Sequence, residues 1–168
     1  SYEFKASNLA KLLTNVGDSL INGFAGGLNN PQIFNLDIDG DGNIDLLAFD
    51  REGSRWLPFK RRLNRWKYVP EWIALFPSCS NWVDFADYNC DGIPDLFCST
   101  KGNVGVYTGN RTMGKIEFNW ALAGPYLYST YQSGQTPANL LVISSDRPVI
   151  KDVNGDGNVD ILTFGQQA

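Results

Sequence analysis

The chain has 168 residues, of which 43% are apolar and 13% aromatic, so it is long enough to bury a substantial hydrophobic core. Its formal net charge is −4, it contains no histidine, and it lacks the residue patterns of phosphate-binding loops, nucleophile elbows and zinc sites. No apolar stretch is long enough to cross a bilayer. These features argue against an enzyme and against a transmembrane segment.

Residues 1–31 are predicted to form an N-terminal leader. Leucines and a valine in this segment fit a helical stripe, but Thr14–Asp18 contains a turn signal that would split a helix. We therefore expect a β-hairpin in which Ala10–Leu13 pairs with Leu20–Phe24.

Three nine-residue segments share one acidic pattern, and we call them loop 1 (37–45), loop 2 (87–95) and loop 3 (152–160). Each has oxygen-bearing side chains at positions 1, 3, 5 and 9 and a glycine at position 6, which permits the positive φ of a sharp turn. Position 7 varies, as expected if only its carbonyl faces a metal. The predicted metal ligands are Asp37, Asp39, Asp41, Asn43 and Asp45; Asp87, Asn89, Asp91, Ile93 and Asp95; and Asp152, Asn154, Asp156, Asn158 and Asp160.

Hard oxygen ligands around a glycine turn are what Ca²⁺ requires, so we expect about three calcium sites. The loops are not EF-hands, because position 12 is Ala48, Cys98 or Thr163 rather than a bidentate glutamate. Loop 1 has four carboxylates and the others have three each, so charge alone predicts that loop 1 binds calcium most tightly. An ion enclosed in this way has a structural role.

Short apolar runs flank each loop and predict buried strands. The resulting unit is strand, metal loop, strand, and its six predicted strands are Ile33–Leu36, Leu46–Phe49, Trp82–Phe85, Leu96–Cys98, Pro148–Ile150 and Ile161–Phe164. The loop spacing leaves room for two further strands after each of the first two units, which we place at Ser54–Lys60, Trp66–Glu71, Asn103–Thr108 and Ile116–Ala121. This gives repeats at 32–80 and 81–140, and the start of a third at 141–168.

This unit resembles the FG-GAP/VCBS repeat of integrin-α-like β-propellers. Phe24–Gln32 and Trp82–Phe97 also look like secreted repeat proteins of Bacteroidetes that are exported by the type IX secretion system. The resemblance implies an all-β partial β-propeller of four-stranded antiparallel blades, with calcium-binding loops between the first and second strands. It also implies a secreted or cell-surface location, and Asp18–Leu20 looks like an O-glycosylation site of such bacteria.

Two and a half blades are fewer than the roughly four to eight of a closed propeller, and open strand edges promote aggregation. We expect the remaining blades of a longer protein, or a partner chain, to cover those edges. The expected function is binding or adhesion, with a glycan or a surface protein as the ligand. The alternatives are an accessory domain of an exported polysaccharide-acting enzyme and a protein associated with the type IX secretion machinery.

Two remaining features receive structural interpretations. Residues 51–67 are rich in Lys, Arg and aromatic residues, and we interpret them as a solvated outer hairpin rather than a nucleic-acid-binding face. Of the three cysteines, Cys98 is expected to be an ordinary buried strand residue, and the spacing also permits a Cys79–Cys90 disulfide.

Overall fold

Antiparallel strands that follow one another along the chain form almost all of the regular structure in a computed structural model, which describes residues 11–121, 126–130, 134 and 136–164. The chain divides into two compact units. Unit 1 comprises Ser1–Pro77 with Met113–Ile116, and unit 2 comprises Ser78–Thr112 with Glu117–Ala168. The predicted all-β fold with four-stranded antiparallel sheets is confirmed.

Sheet 1 has its strands in the order in which they occur in the sequence, β1-β2-β3-β4. Its strands are β1 (Pro31–Leu36), β2 (Asp45–Asp50), β3 (Arg55–Arg62) and β4 (Arg65–Tyr68). Leu47, Ala48 and Phe49 of β2 are fully buried, because this central strand is covered on both faces. Its continuous apolar run is the signal that predicted it.

The fourth strand is shorter than predicted. The chain leaves the sheet after Tyr68 and forms a 3₁₀ helix over Pro70–Leu75, where a strand was expected to continue to Glu71. Pro70 explains the difference, because proline has no backbone N–H for the ladder and a fixed φ that suits the first turn of a helix.

The aromatic part of unit 1 packs beneath this helix. Trp56 stacks on Phe76 with 4.9 Å between ring centroids, and its indole N–H donates a 2.8 Å hydrogen bond to the carbonyl of Pro77. This hydrogen bond satisfies the indole N–H of Trp56, although the residue is only 6% exposed.

A second cluster in unit 1 contains the buried residues Ala25, Ala48 and Leu57.

Sheet 2 repeats the same strand order, β5-β6-β7-β8. Its strands are β5 (Ser80–Ala86), β6 (Asp95–Thr100), β7 (Asn103–Thr112) and β8 (Lys115–Trp120). The core of unit 2 consists of side chains from this sheet and from the segments that follow it, namely Trp82, Phe97, Val104, Val106, Val142 and Ile150.

Two short strand pairs follow in unit 2. β9 (Tyr128–Ser129) pairs with β10 (Ala138–Asn139), and β11 (Val149–Lys151) pairs with β12 (Asp160–Leu162). The second pair carries loop 3, and Ile150 buries its side chain in the unit 2 core. The predicted 81–140 and 141–168 repeats also include residues 122–125, 131–133, 135 and 165–168, which lie outside the described residues.

The N-terminal region does not form the predicted pair of strands in its described part, which begins at residue 11. Leu13 and Ser19 form a single antiparallel bridge, closed by a turn in which Thr14 N–H donates to the Asp18 carbonyl at 2.8 Å. The side chains of Leu13, Leu20 and Phe24 are exposed, so no buried face supports longer strands here. No helix among the described residues reaches the length and apolarity of a membrane span.

Candidate metal sites

The three acidic loops connect strand pairs in the same register. Loop 1 links β1 to β2, loop 2 links β5 to β6, and loop 3 links β11 to β12. In each pair the residue before the loop lies opposite the aspartate at position 9. These partners are Leu36 with Asp45, Ala86 with Asp95 and Lys151 with Asp160. Each loop therefore leaves and re-enters its strand pair at the same point.

The aspartate at position 9 anchors each loop to its own start. Its Oδ2 accepts a hydrogen bond from the backbone N–H of position 2, at 3.2 Å for Asp45, 2.6 Å for Asp95 and 2.9 Å for Asp160. Asp45 and Asp95 have no exposed surface. Burial raises the pKa of Asp45 although two backbone N–H groups favour its charged form.

Asp45 and Asp95 also reach the third strand of their sheets. Asp45 Oδ1 accepts from the Arg61 amide at 2.9 Å, and Asp95 Oδ1 accepts from the Gly109 amide at 2.7 Å. Each of these carboxylates therefore closes the loop and ties it to β3 or β7. The sequence predicted these residues as metal ligands, and it gave no indication of this second role.

The aspartate at position 1 binds the glycine turn. Its Oδ2 accepts from the amide of position 6, at 3.2 Å in loop 1 and 2.9 Å in loops 2 and 3. The position 6 glycines have φ values of +80°, +83° and +87°, the positive φ that the sequence predicts. The residues in these three contacts are Asp37 with Gly42, Asp87 with Gly92 and Asp152 with Gly157.

The aspartate at position 5 accepts from the amide two residues later. The distances are 2.9 Å for Asp41 and 2.8 Å for both Asp91 and Asp156. The donors are the position 7 residues Asn43, Ile93 and Asn158. Because backbone N–H groups hold positions 1, 5 and 9 in every loop, the chain itself gathers the carboxylates that a cation would bind.

Position 3 differs between loop 1 and the other two. Asn89 and Asn154 accept from the position 5 amide through their oxygen and donate to the position 5 carboxylate through their nitrogen. Loop 1 has Asp39 instead, whose Oδ1 is buried and has no hydrogen-bond partner. That buried oxygen is a vacant acceptor inside the loop, and a bound cation would satisfy it.

Loop 1 brings three carboxylates together. One oxygen each from Asp37, Asp39 and Asp45 lie within 4.8 Å of one another. Oxygens that bind one Ca²⁺ at 2.3–2.6 Å have separations of this order, roughly 5 Å at most. The spacing and the vacant Asp39 oxygen therefore fit a calcium ion in loop 1.

A lysine missed by the sequence analysis lies beside loop 1. Lys60 of β3 forms ion pairs with Asp39 and with Asp41, the latter at 2.8 Å. The Lys60 ammonium lowers the pKa of Asp41 to about 2, and Asp39 and Asp41 raise the pKa of Lys60. A count of strand register across the β2–β3 hairpin would have pointed to this contact.

The other basic side chains of residues 51–67 are mostly at the surface. Arg61, Arg62, Arg65 and Lys67 are exposed, as the interpretation of a solvated hairpin expects. Arg55 is also exposed, but it forms an ion pair with the buried Asp50 at 2.8 Å. Lys60 and Arg55 therefore have a structural role within this segment.

The cysteines do not have the arrangement that the Cys79–Cys90 pairing required. All three are free thiols, and Cys79 and Cys98 are buried close together in the interior of unit 2. Cys90 is exposed on loop 2, where its sulfur lies 3.8 Å from the carbonyl of Gly157 in loop 3. Cys98 is buried in β6, as predicted.

Loops 2 and 3 border one open cleft of about 680 Å³ within unit 2. Its walls include Phe85, Asp87 and Cys90 on one side and Ile150, Asp152 and Gly157 on the other. The first aspartates of both loops thus face a shared space, so the filling of one loop can affect the other electrostatically.

Comparisons with known proteins support one assignment. No curated protein and no solved structure matched the chain. The matched family model begins at the first aspartate of loop 1 and ends in β6, so it includes loops 1 and 2 and the whole of sheet 1 after β1. Residues 37–98 of this chain match the model of the FG-GAP-like repeat family.

Proposed function

We propose that this chain is a calcium-stabilised segment of an extracellular β-propeller that serves in binding or adhesion. The observation that carries the proposal is the hydrogen-bond scheme common to the three loops. Position 9 accepts from position 2, position 1 from position 6, and position 5 from position 7 in every loop. The match of residues 37–98 to the FG-GAP-like repeat also supports the proposal.

The proposed calcium ligands are those of the sequence analysis, from positions 1, 3, 5, 7 and 9 of each loop. In loops 2 and 3, the side-chain amides of Asn89 and Asn154 would turn so that their oxygens face the ion. Calcium would then bridge the carboxylates of each loop and oppose their mutual repulsion. Its proposed role is to hold the strand pairs of each repeat together, with no part in catalysis.

The proposed setting is a secreted or cell-surface protein of the Bacteroidetes type, with further blades or a partner chain against the open strand edges. A glycan or a surface protein is the proposed ligand. An accessory role in an exported polysaccharide-acting enzyme and an association with type IX secretion remain alternatives. Glycan binding by the isolated chain would favour the first proposal, and hydrolysis of a polysaccharide by it would favour the enzyme.

Chelation tests the calcium proposal directly. A site at 100 times its dissociation constant adds about 2.7 kcal/mol to the free energy of unfolding, so three filled sites would raise the melting temperature by more than about 10 °C. Native mass spectrometry should count the bound ions, and D91N and D156N should each remove one. E52Q changes an exposed carboxylate outside the loops and should keep the full calcium response. A wild-type protein with no calcium-dependent shift would refute the proposal.

A further inference from the structure

Lys60 is held at loop 1 from two sides. Its ammonium forms ion pairs with Asp39 and Asp41 and lies 5.7 Å from the centroid of the Trp72 ring. Its side chain is only 19% exposed, and Trp72 is 6% exposed. The ammonium is thus fixed by partly desolvated charge pairs and by a cation–π contact, unlike a solvated surface lysine.

The oxygens that Lys60 uses are ones that a metal ion would need. Asp41 Oδ1 already accepts from the Asn43 amide, and Lys60 occupies Asp41 Oδ2. Lys60 also occupies Asp39 Oδ2, which leaves Oδ1 as the vacant oxygen of that residue. A cation that binds both Asp39 and Asp41 therefore competes with the ammonium.

Loop 2 has the same backbone hydrogen bond to the third strand as loop 1, but a threonine takes the place that Lys60 has in loop 1. Asp45 binds the amide of Arg61, and Asp95 binds the amide of Gly109, so the preceding residues Lys60 and Thr108 are equivalent. Thr108 has no charge, and its hydroxyl donates to the Asn119 carbonyl at 3.3 Å. The group on Asp91 Oδ2 is the Asn89 amide, which can rotate to present its oxygen, whereas an ammonium has no acceptor to offer.

We propose that Lys60 is the built-in counter-ion of loop 1 and competes with Ca²⁺ for Asp39 and Asp41. The proposal rests on the proposed calcium binding and deepens it. It reverses the order of affinity that charge counting gives, because the ammonium cancels one of the four carboxylates of loop 1 and also holds one oxygen each of Asp39 and Asp41. Loop 1 then keeps its conformation without calcium and fills last.

The test compares K60T, which gives loop 1 the residue of loop 2, with K67T. Lys67 lies opposite Lys60 on β4 and is exposed, so K67T removes the same charge without touching the loop. Calcium titration by calorimetry and native mass spectrometry should show one ion in wild type that needs about tenfold more calcium than the others. That ion should bind at least about tenfold more tightly in K60T, and K67T should resemble wild type.

Thermal unfolding supplies a second readout. In chelator, K60T should melt at a lower temperature than wild type, because Asp39 and Asp41 lose their counter-ion. Saturating calcium should restore it. If K60T does not fold, T108K carries the test, because a lysine placed at loop 2 should weaken one calcium site about tenfold.

The possible failures are distinct. Equal affinity at all sites in wild type, with no gain in K60T and no loss in T108K, would overturn the role of Lys60 and leave the calcium proposal intact. If neither wild type nor K60T binds calcium, both proposals fail.

Discussion

The side chain of Asp95 accepts a 2.7 Å hydrogen bond from the backbone N–H of Gly109, which places the last residue of loop 2 against the third strand of its sheet. Its other oxygen accepts from the Tyr88 amide at 2.6 Å. Asp95 has no exposed surface. Because both oxygens receive backbone donors, this aspartate contributes to folding whether or not a metal is present.

The first prediction separates this role from metal binding. D95N should lower the free energy of unfolding by about 2–3 kcal/mol in chelator, since an asparagine NH₂ would face a backbone N–H donor in the interior. D91N should change stability little in chelator, because Asp91 is exposed. Urea unfolding of both variants in chelator and in calcium checks this.

In calcium, the unfolding free energies of the two variants show what calcium contributes at loop 2. D91N should lose most of the stability that calcium adds at loop 2. D95N should show this loss in addition to the one it already has in chelator. Equal stability of D95N and wild type in chelator would show that the Gly109 contact carries no energy.

The second prediction concerns a close backbone approach at position 4 of loop 1. Gly40 has a φ of +73°, and a Cβ added there would lie 2.2 Å from the carbonyl oxygen of Gly114. Gly155 holds the same position in loop 3 with a φ of +82° and open space around it. A residue other than glycine can adopt a positive φ at position 4, because Cys90 does so in loop 2 with a φ of 60°.

G40A should therefore cost more than G155A. Both variants pay about 1–2 kcal/mol for an L-residue at positive φ, and G40A must also displace the Gly114 backbone. We expect a difference of about 2 kcal/mol in the free energy of unfolding, measured by denaturant titration in chelator. Equal losses in the two variants would mean that the Gly114 segment moves freely.

The sequence predicted the elements whose signals are local. The three loops and their flanking strands are contiguous patterns, so residues such as Asp37 and Leu47 could be placed without knowledge of the tertiary structure. The end of β4 could also have been found, since Pro70 signals it. In the described part of the predicted N-terminal hairpin, Leu13 forms only a bridge in place of a strand, and the apolar side chains around it are largely exposed.

Contacts set by register could not be assigned from local patterns. Lys60 meets Asp39 because three strands align across loop 1, and an error of one residue in the hairpin would turn the lysine to the other face. The Cys79–Cys98 contact was missed for the same reason, because a bulge between Ser80 and Val83 shifts the pairing of β5 with β6. The local pattern is enough to propose metal ligands, whereas strand register is needed to identify the residues that contact them.

The third prediction concerns acid stability through Asp50. This carboxylate is 2% exposed and accepts hydrogen bonds from Arg55 at 2.8 Å and from the Asn30 amide at 3.1 Å. The Arg55 guanidinium, with the amide donors, holds the pKa of Asp50 below its ordinary value of 3.8. A lowered pKa means that its contribution is present above pH 3.8 and is lost as the pH falls through the folded-state value.

D50N should therefore lower stability by about 2 kcal/mol near neutral pH, because Arg55 and the amides lose a charged acceptor. The wild-type and D50N curves of unfolding free energy against pH should converge as the pH falls below about 4. The titration is made in chelator, so that any release of bound calcium at low pH does not contribute, and the loop aspartates titrate equally in both proteins. Parallel curves would show that Asp50 gains no stability from ionisation in the fold.

The last prediction concerns thiol reactivity. Cys90 is exposed on loop 2, whereas Cys79 and Cys98 are 7% and 0% exposed. The neighbouring Cys98 thiol and burial raise the pKa of Cys79, which reduces its reactive thiolate further. Iodoacetamide under native conditions should therefore modify Cys90 first, as measured by peptide mass spectrometry. C90S should remove the fast phase, and denaturant should expose two slow thiols in that variant. Rapid labelling of Cys79 in native protein would contradict the packing of β5 against β6.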